Sequence, residues 1–166
     1  MRGLGQIKEA CDFVRPHIGL ITSVGPVHLE LLCTVERVAQ AKTEVLRGLE
    51  PGGVGIVPAD EPLIEPFIPA GIDLRRFGPG GSSSLVAFEP GDEISHAVFE
   101  IEGERVELEL ALSARHQAQN TLAALVAYHG LGLPLEGAQE GARTIRLSRW
   151  RGEETALPAG GLLIND

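Results

Sequence analysis

The residues of this chain that could do chemistry stand just past predicted strands. His28 and Glu30 follow the apolar run HIGLITSV and a Gly-Pro turn, and Asp60 follows the run GVGIV in the same way. An imidazole in this position can bind a divalent metal or a phosphate, or it can hydrogen-bond a backbone carbonyl. An aspartate before a helix is also a common N-cap. Because open α/β sheets bind ligands beyond the carboxyl ends of their strands, both segments are candidates for one site.

A lysine interrupts the apolar face of the clearest predicted helix, residues 34–50. The face consists of residues spaced three or four apart: Val35, Val38, Lys42, Val45, Leu46 and Leu49. A lysine is almost never fully buried without a partner, so Lys42 could extend its ammonium to water or pair with Glu30 or Glu44. Alternatively, burial lowers the pKa of the amine, and a neutral amine can react with carbon dioxide to form a carbamate. Such a carbamate is an oxygen ligand suited to Mg²⁺.

Three further groups could bind a nucleotide. Asn120 lies in the first turn of a predicted helix, where its amide could contact a purine edge or cap backbone groups. Arg146, Arg149 and Arg151 surround the only tryptophan and could hold phosphate or form ordinary surface. Asp166 ends the segment IND at a predicted strand tip, where a carboxylate can accept a hydrogen bond from a ribose hydroxyl.

The elements that must position these residues change in style along the chain. The first part alternates helices with short apolar strands, which is typical of a parallel α/β sheet. Residues 96–112 alternate apolar and polar side chains around an EG turn, which predicts an antiparallel hairpin. Helices are predicted over 5–15, 34–50, 115–132 and 134–145, a helix or turn over 59–68, and further strands over 17–24, 53–57, 73–78, 154–157 and 162–166.

The predicted fold class is therefore α/β, a partial doubly wound parallel sheet with an added antiparallel hairpin region. The Gly/Ser segment 78–84 is predicted to be the loop that joins the two. The parallel part covers about 1–78, and the antiparallel and helical part covers about 84–166.

Composition restricts the class of partner. A chain of 166 residues suits one domain, and a net charge of −9 without any basic run argues against nucleic acid and anionic membranes as main partners. No apolar stretch approaches the roughly 20 residues of a membrane span, and no signal-peptide pattern opens the chain. The two cysteines are too few for a disulfide framework or a zinc site. These features predict a cytoplasmic protein.

Taken in order, several segments resemble the central domain of the Mur ligases, the ATP-dependent enzymes that build the peptide of bacterial peptidoglycan. They are MRGLGQI, GPVHLELL, AKTEVL, ADEP, RHQAQN, an arginine before GE, and IND. The wording GPVHLE is similar to the members that add D-alanyl-D-alanine to UDP-N-acetylmuramoyl-tripeptide. The resemblance implies a P-loop NTPase-like fold, ATP and Mg²⁺ as cofactors, these two substrates as partners, and a part in cell-wall biogenesis and cell shape.

The resemblance also implies roles for five residues. His28 and a carbamylated Lys42 match Mg²⁺ ligands, Asn120 matches an asparagine near the adenine, Arg151 an arginine near the phosphates, and Asp166 an aspartate near the ribose. In the implied reaction ATP phosphorylates the tripeptide carboxylate, and the amine of D-alanyl-D-alanine attacks the acyl phosphate. Catalysis of this kind is mostly positioning and electrostatics, and no catalytic residue beyond these ligands is implied.

Departures from the family pattern accompany the resemblance. Ser23, Cys33, Pro58 and Ala114 stand where asparagine, glycine, asparagine and glycine are usual. No G-x-x-x-x-G-K-[ST] occurs, although the family carries this phosphate loop and an acidic metal ligand upstream of MRGLGQI. The domains that bind the UDP-sugar and the incoming amine are also missing. We therefore expect residues 1–166 to be an incomplete central domain that is inactive alone and exposes an apolar sheet edge.

Two alternatives stay open at this point. Another Mur ligase or a folylpolyglutamate synthase would belong to the same enzyme class, although the wording GPVHLE disfavours both. A stand-alone, catalytically inactive module that binds a nucleotide or a partner would be consistent with the missing phosphate loop and the four departures.

Overall fold

The computed structural model describes residues 3–27, 29–145, 153–158 and 160–165. The α-helices are α1 (Gln6–Val14), α2 (Leu29–Leu32), α3 (Val35–Lys42), α4 (Glu44–Arg47), α5 (Arg115–Gly130) and α6 (Ala138–Thr144). The strands are β1 (Ile18–Leu20), β2 (Val54–Pro58), β3 (Asp73–Phe77), β4 (Ser83–Glu89), β5 (Ser95–Ile101), β6 (Glu104–Leu110), β7 (Glu153–Ala156) and β8 (Leu162–Asn165). Short 3-10 helices cover Pro62–Phe67 and Leu135–Gly137.

Strands β1 to β6 form one sheet in the order of the sequence. β1, β2 and β3 are parallel, and a single parallel pair, Phe77 with Ser83, joins β3 to β4. β4, β5 and β6 then run antiparallel, with the predicted Glu102-Gly103 turn between β5 and β6. β7 and β8 form a separate antiparallel pair. The predicted fold class, a mostly parallel α/β sheet with an antiparallel addition, is confirmed.

Helices cover both faces of the parallel strands. On one face α5 contributes Leu122 to a core cluster that contains Ile56 of β2. On the other face Leu46 of α4 belongs to the cluster that contains Val57 of β2. Every residue of β2 is buried, as a continuous apolar run predicts for a strand between two helical layers. Among the described residues, no helix has the length and apolar character that a bilayer span requires.

Two predicted elements needed correction. The helix predicted over 34–50 is divided at Thr43, whose buried hydroxyl donates to the carbonyl of Gln40 at 2.8 Å. A hydroxyl bonded back to the preceding turn competes with the regular helical geometry there. The strand predicted over 17–24 is shorter, although His17 and Ile21 still exchange backbone hydrogen bonds with β2.

Two elements, β4 and α2, were not predicted from the sequence. β4 begins inside the segment assigned to the joining loop, and its pairing with β5 shifts register between Leu85 and Ala87. That irregularity leaves the strand without the strict alternation that identifies strands from sequence. α2 is one turn long, which is too short for a helical period to be recognised in the sequence.

Candidate functional site

The carboxyl ends of β1, β2 and β3 and the first turns of α5 enclose a cavity of about 380 Å³. Ser23, Asp60 and Gly78 line it from the loops that follow the three strands, and His116 and Asn120 line it from α5. A volume of this size is in the range of small-molecule sites. Its place agrees with the rule that open α/β sheets bind ligands beyond the carboxyl ends of their strands.

Lys42 faces a second cavity of about 250 Å³, which Ile7 of α1 and Val45 of α4 also line. The side chain is half-buried, and Nζ donates a hydrogen bond of 2.6 Å to the backbone carbonyl of Ser23. Burial removes water from the ammonium and so lowers the pKa of Lys42, while the charge of Glu61 opposes that shift. The amine is therefore neutral over a wider pH range than an exposed lysine, which is the condition for it to act as a nucleophile.

Ser23 connects the two cavities because it lines both of them. The predicted place of Lys42 on the partly buried helix face is confirmed. Its alternative pairing with Glu30 or Glu44 was wrong, since no ion pair of the described residues includes Lys42. Glu44 instead accepts hydrogen bonds from two backbone amides of α1.

α5 begins at the rim of the larger cavity. Ala114 is its extended N-cap, and the Gln117 side chain accepts a hydrogen bond of 3.0 Å from the Ala114 amide. His116, Gln119 and Asn120 then face the cavity together, because residues three and four apart share one helix face. Asn120 was predicted from the sequence, whereas His116 and Gln119 were not, although the same helical spacing places them on this face.

Comparison with known proteins decides the family. A family model described as the Mur ligase middle domain matches residues 1–128. The chain belongs to the Mur ligase family. The UDP-N-acetylmuramoyl-tripeptide–D-alanyl-D-alanine ligase of Synechocystis sp. is 35% identical over 156 residues, which are 91% of this chain and 32% of that protein. The UDP-N-acetylmuramate–L-alanine ligase of Saccharopolyspora erythraea is 33% identical over 134 residues, which are 76% of this chain and 27% of that protein.

The chain thus spans about a third of the length of these relatives. Among solved structures, the MurF ligase of Thermotoga maritima in complex with ADP matches 99% of this chain and 38% of its own. The TM-score is 0.84 at 22% sequence identity. At that identity the likeness establishes the fold.

The Mur ligase resemblance implied roles for five residues, of which two are described. Lys42 and Asn120 line the neighbouring cavities at the carboxyl edge of the sheet. The other predicted site residues lie outside the described residues: His28, Arg151 and Asp166, together with Arg146 and Arg149. Within the described ranges, no three His, Cys, Asp or Glu side chains form a group that could hold a metal ion. The Mg²⁺ site stays a prediction that depends on His28 and on carbamylation of Lys42.

Four positions differ from the usual Mur ligase residues, and one of them carries a visible backbone cost. Cys33 has φ of 70°, in the left-handed region that suits the glycine usual there. Ser23 contributes its backbone carbonyl to Lys42, and Pro58 is the buried last residue of β2 at the larger cavity. Ala114 has φ of −98°, which non-glycine residues adopt without strain.

Proposed function

We propose that this chain is the nucleotide-binding middle domain of a cytoplasmic ligase that joins D-alanyl-D-alanine to UDP-N-acetylmuramoyl-tripeptide in peptidoglycan synthesis. The observation that carries the proposal is the half-buried amine of Lys42 at the carboxyl edge of a Mur ligase sheet, beside a cavity lined by Asn120. The Synechocystis relative, whose name states this activity, matches the chain over 91% of its length.

ATP and Mg²⁺ are the cofactors in this proposal, and the chemistry of Lys42 can be tested against them. As an ammonium Lys42 would repel a cation, but its lowered pKa favours the neutral amine, which can add to carbon dioxide. The resulting carbamate offers the hard oxygen atoms that Mg²⁺ prefers, and the imidazole of His28 would be the second protein ligand. Bound Mg²⁺ would supply neutralisation of charge on the transferring phosphoryl group.

The chain's own residues would bind and orient the nucleotide. The Asn120 amide has a donor and an acceptor for the edge of adenine, Arg151 would hold phosphate oxygens, and Asp166 would accept a hydrogen bond from a ribose hydroxyl. The carboxylate of the tripeptide attacks the terminal phosphorus of ATP, and ADP leaves as the acyl phosphate forms. The amine of D-alanyl-D-alanine then attacks the acyl carbon, and phosphate leaves.

Nucleotide binding is tested by calorimetric titration of the chain with ATP and Mg²⁺. Asn120→Ala should weaken binding by about ten-fold or more, because the amide contact to the base is lost. Gln40→Ala is the matched control, since this exposed amide lies on α3 and does not line either cavity. Absence of ATP binding to the unsubstituted chain would contradict the proposed nucleotide site.

A second candidate function is ligation of L-alanine to UDP-N-acetylmuramate, which the Saccharopolyspora relative favours. A chimera in which this chain replaces the matched segment of the Synechocystis ligase tests whether the segment is catalytically competent. The matching chimera in the Saccharopolyspora ligase shows which host it serves better. We expect phosphate release with D-alanyl-D-alanine in the first chimera and no ligation by the isolated chain. A chimera that binds ATP but releases no phosphate would favour a catalytically inactive binding module.

A further inference from the structure

α1 is joined to the segment that follows α4 at two points apart from the site. A methyl group on Gly48, which follows α4, would collide with Cβ of Cys11, so the two backbones approach closely there. At the end of α1, Arg15 donates to both carboxylate oxygens of Glu50, at 2.9 and 2.8 Å. Both contacts hold the carboxyl half of the helix.

A third contact holds the amino end of α1, and it comes from Glu44. The N-cap of α1 is Gly5, which has no side chain to cap the helix. Oε1 of Glu44 accepts a hydrogen bond of 2.6 Å from the backbone amide of Gly5, and Oε2 accepts one of 3.2 Å from the backbone amide of Lys8. A carboxylate is favoured in this position because the first amides of a helix lack partners and carry the positive end of its dipole.

The two amides bound by Glu44 lie on either side of Ile7 in the sequence. Ile7 is the residue of α1 that lines the cavity of Lys42. We call the contact of the Glu44 carboxylate with these two amides the clamp. Glu44 and the amine of Lys42 belong to one short stretch of chain, because Lys42 ends α3 and Glu44 begins α4. The position of the apolar wall over Lys42 is therefore coupled to the carboxylate two residues away.

We propose that Glu44 is a positioning residue, which holds the start of α1 so that Ile7 closes the cavity around the amine of Lys42. Without the carboxylate, the first turn of α1 loses its cap and Ile7 can move away from the cavity. Water then reaches the amine and competes with the carbonyl of Ser23 for its protons. This role rests on the proposed function, in which the amine of Lys42 must be shielded from water. Its test needs neither nucleotide nor metal.

The test uses the fact that Lys8 and Lys42 are the only lysines of the chain. Labelling with ¹⁵N-lysine gives two side-chain amines, of which Lys8 is exposed and serves as the internal reference. Exchange of the Nζ protons with water is measured by NMR at low temperature and mildly acidic pH. In the unsubstituted chain we expect the Lys42 protons to exchange about ten-fold more slowly than those of Lys8, because they are shielded and bonded to Ser23.

Glu44→Ala should accelerate exchange at Lys42 by about five-fold or more while exchange at Lys8 stays unchanged. Glu50→Ala is the matched control, because it removes the other carboxylate that binds α1 and leaves Ile7 in place. Ile7→Ala, which removes the wall and keeps the clamp, should reproduce the effect and serves if Glu44→Ala does not fold. The proposal is overturned if Glu44→Ala leaves exchange at Lys42 within about two-fold, or if Glu50→Ala accelerates it equally.

The outcome is separate from that of the proposed function. A chain that binds no ATP but loses protection of Lys42 in Glu44→Ala would contradict the ligase proposal and support the clamp. A chain that binds ATP normally, with Lys42 exchange insensitive to Glu44, would support the ligase proposal and overturn the clamp.

Discussion

The parallel and antiparallel halves of the sheet are packed differently against the helices that cover them. Under β1 and β2, glycines let the helices approach closely. A Cβ on Gly19 would lie 3.2 Å from Val45, and a Cβ on Gly55 would lie 3.0 Å from Leu46. In the antiparallel half, bulky side chains such as Phe99 and Leu110 are fully buried and fill the space beneath α5. Both halves bury large apolar side chains, such as Ile56 and Leu46 in the parallel half, but the close approach of α4 depends on glycines there.

The two halves also differ at their margins. The parallel strands end in loops whose polar residues line the candidate cavities. The antiparallel half ends at β6. There the Gln139 side chain accepts a hydrogen bond of 3.0 Å from the backbone amide of Glu109 and donates one of 3.4 Å to the carbonyl of the same residue. A side-chain amide thus takes the place of a neighbouring strand and blocks further pairing. The candidate cavities therefore lie at the parallel half, and both halves contribute to the core cluster that includes α5.

The largest effect is expected from deleting bulk in the antiparallel half. Phe99→Ala should lower the free energy of unfolding by about 3–5 kcal/mol, because Phe99 is fully buried and its loss leaves a cavity. Phe13→Ala is the control in the other half, where the side chain is 90% exposed, and should change stability by less than about 0.5 kcal/mol. Urea denaturation measures both. Equal effects of the two substitutions would contradict the burial of Phe99 in the core.

Adding bulk at a crowded glycine should have the next largest effect. Gly48→Ala should destabilise by about 1–3 kcal/mol, because its methyl group meets Cys11 and forces α1 away from α4. Gly141→Ala, on the exposed face of α6 with nothing within 4 Å, should instead stabilise by about 0.5–1 kcal/mol through helix propensity. Thermal unfolding of the pair measures the difference. A destabilising Gly141→Ala or a neutral Gly48→Ala would contradict this difference between a crowded and an exposed glycine.

The accuracy of the predictions from the sequence differs between the elements of the sheet. The β5–β6 hairpin was predicted within one or two residues, because Val106, Leu108 and Leu110 of β6 alternate with glutamates, and Phe99 and Ile101 of β5 flank Glu100. β4 was missed since its irregular register removes that alternation. In the parallel half every strand was recognised, and the bounds of β2 and β3 were predicted within one residue. The ends of β1 were not, because a continuous apolar run has no period to mark where pairing stops.

Site residues that break a local pattern could be predicted from the sequence, whereas contacts between residues distant in the sequence could not. Lys42 stood out because it interrupts an apolar helix face, and the structure confirms its partial burial. Its hydrogen bond to the carbonyl of Ser23 could not be predicted, since every residue has such a carbonyl. Glu44 was considered only as a partner of its neighbour Lys42, whereas its actual partners, Gly5 and Lys8, lie 39 and 36 positions away. Contacts at that separation require the tertiary fold.

A smaller effect is expected from removing the charge in the parallel half. Lys42→Met should stabilise the chain by roughly 0.5–1 kcal/mol at neutral pH, a modest gain because half of the side chain is solvated. The folded pKa of Lys42 is lowered, so between it and the unfolded value of about 10.4 the unfolded chain binds more protons. Stability of the unsubstituted chain therefore rises with pH in that window, and the advantage of Lys42→Met should shrink.

The measurement is the difference in unfolding free energy between the two proteins across mildly alkaline pH. Burial also raises the pKa of Cys11, so above the unfolded thiol value of about 8.5 this residue lowers stability as pH rises. That contribution is common to both proteins and cancels in the difference. Lys8→Met, an exposed substitution, should change stability by less than about 0.5 kcal/mol. An advantage of Lys42→Met that grows with pH would contradict the desolvation of the amine.

The smallest effect is expected where the parallel half carries a side chain in a backbone conformation that suits glycine. Cys33, between α2 and α3, is exposed and has φ of 70°. Cys33→Gly should stabilise by about 0.5 kcal/mol or less, because relief of left-handed strain is partly offset by the greater freedom of glycine in the unfolded chain. Cys33→Ala is the control, since it removes the thiol and keeps the strain, and should be neutral within that range. If alanine and glycine are equivalent by denaturant titration, the cost at this position belongs to the thiol and the backbone is not strained.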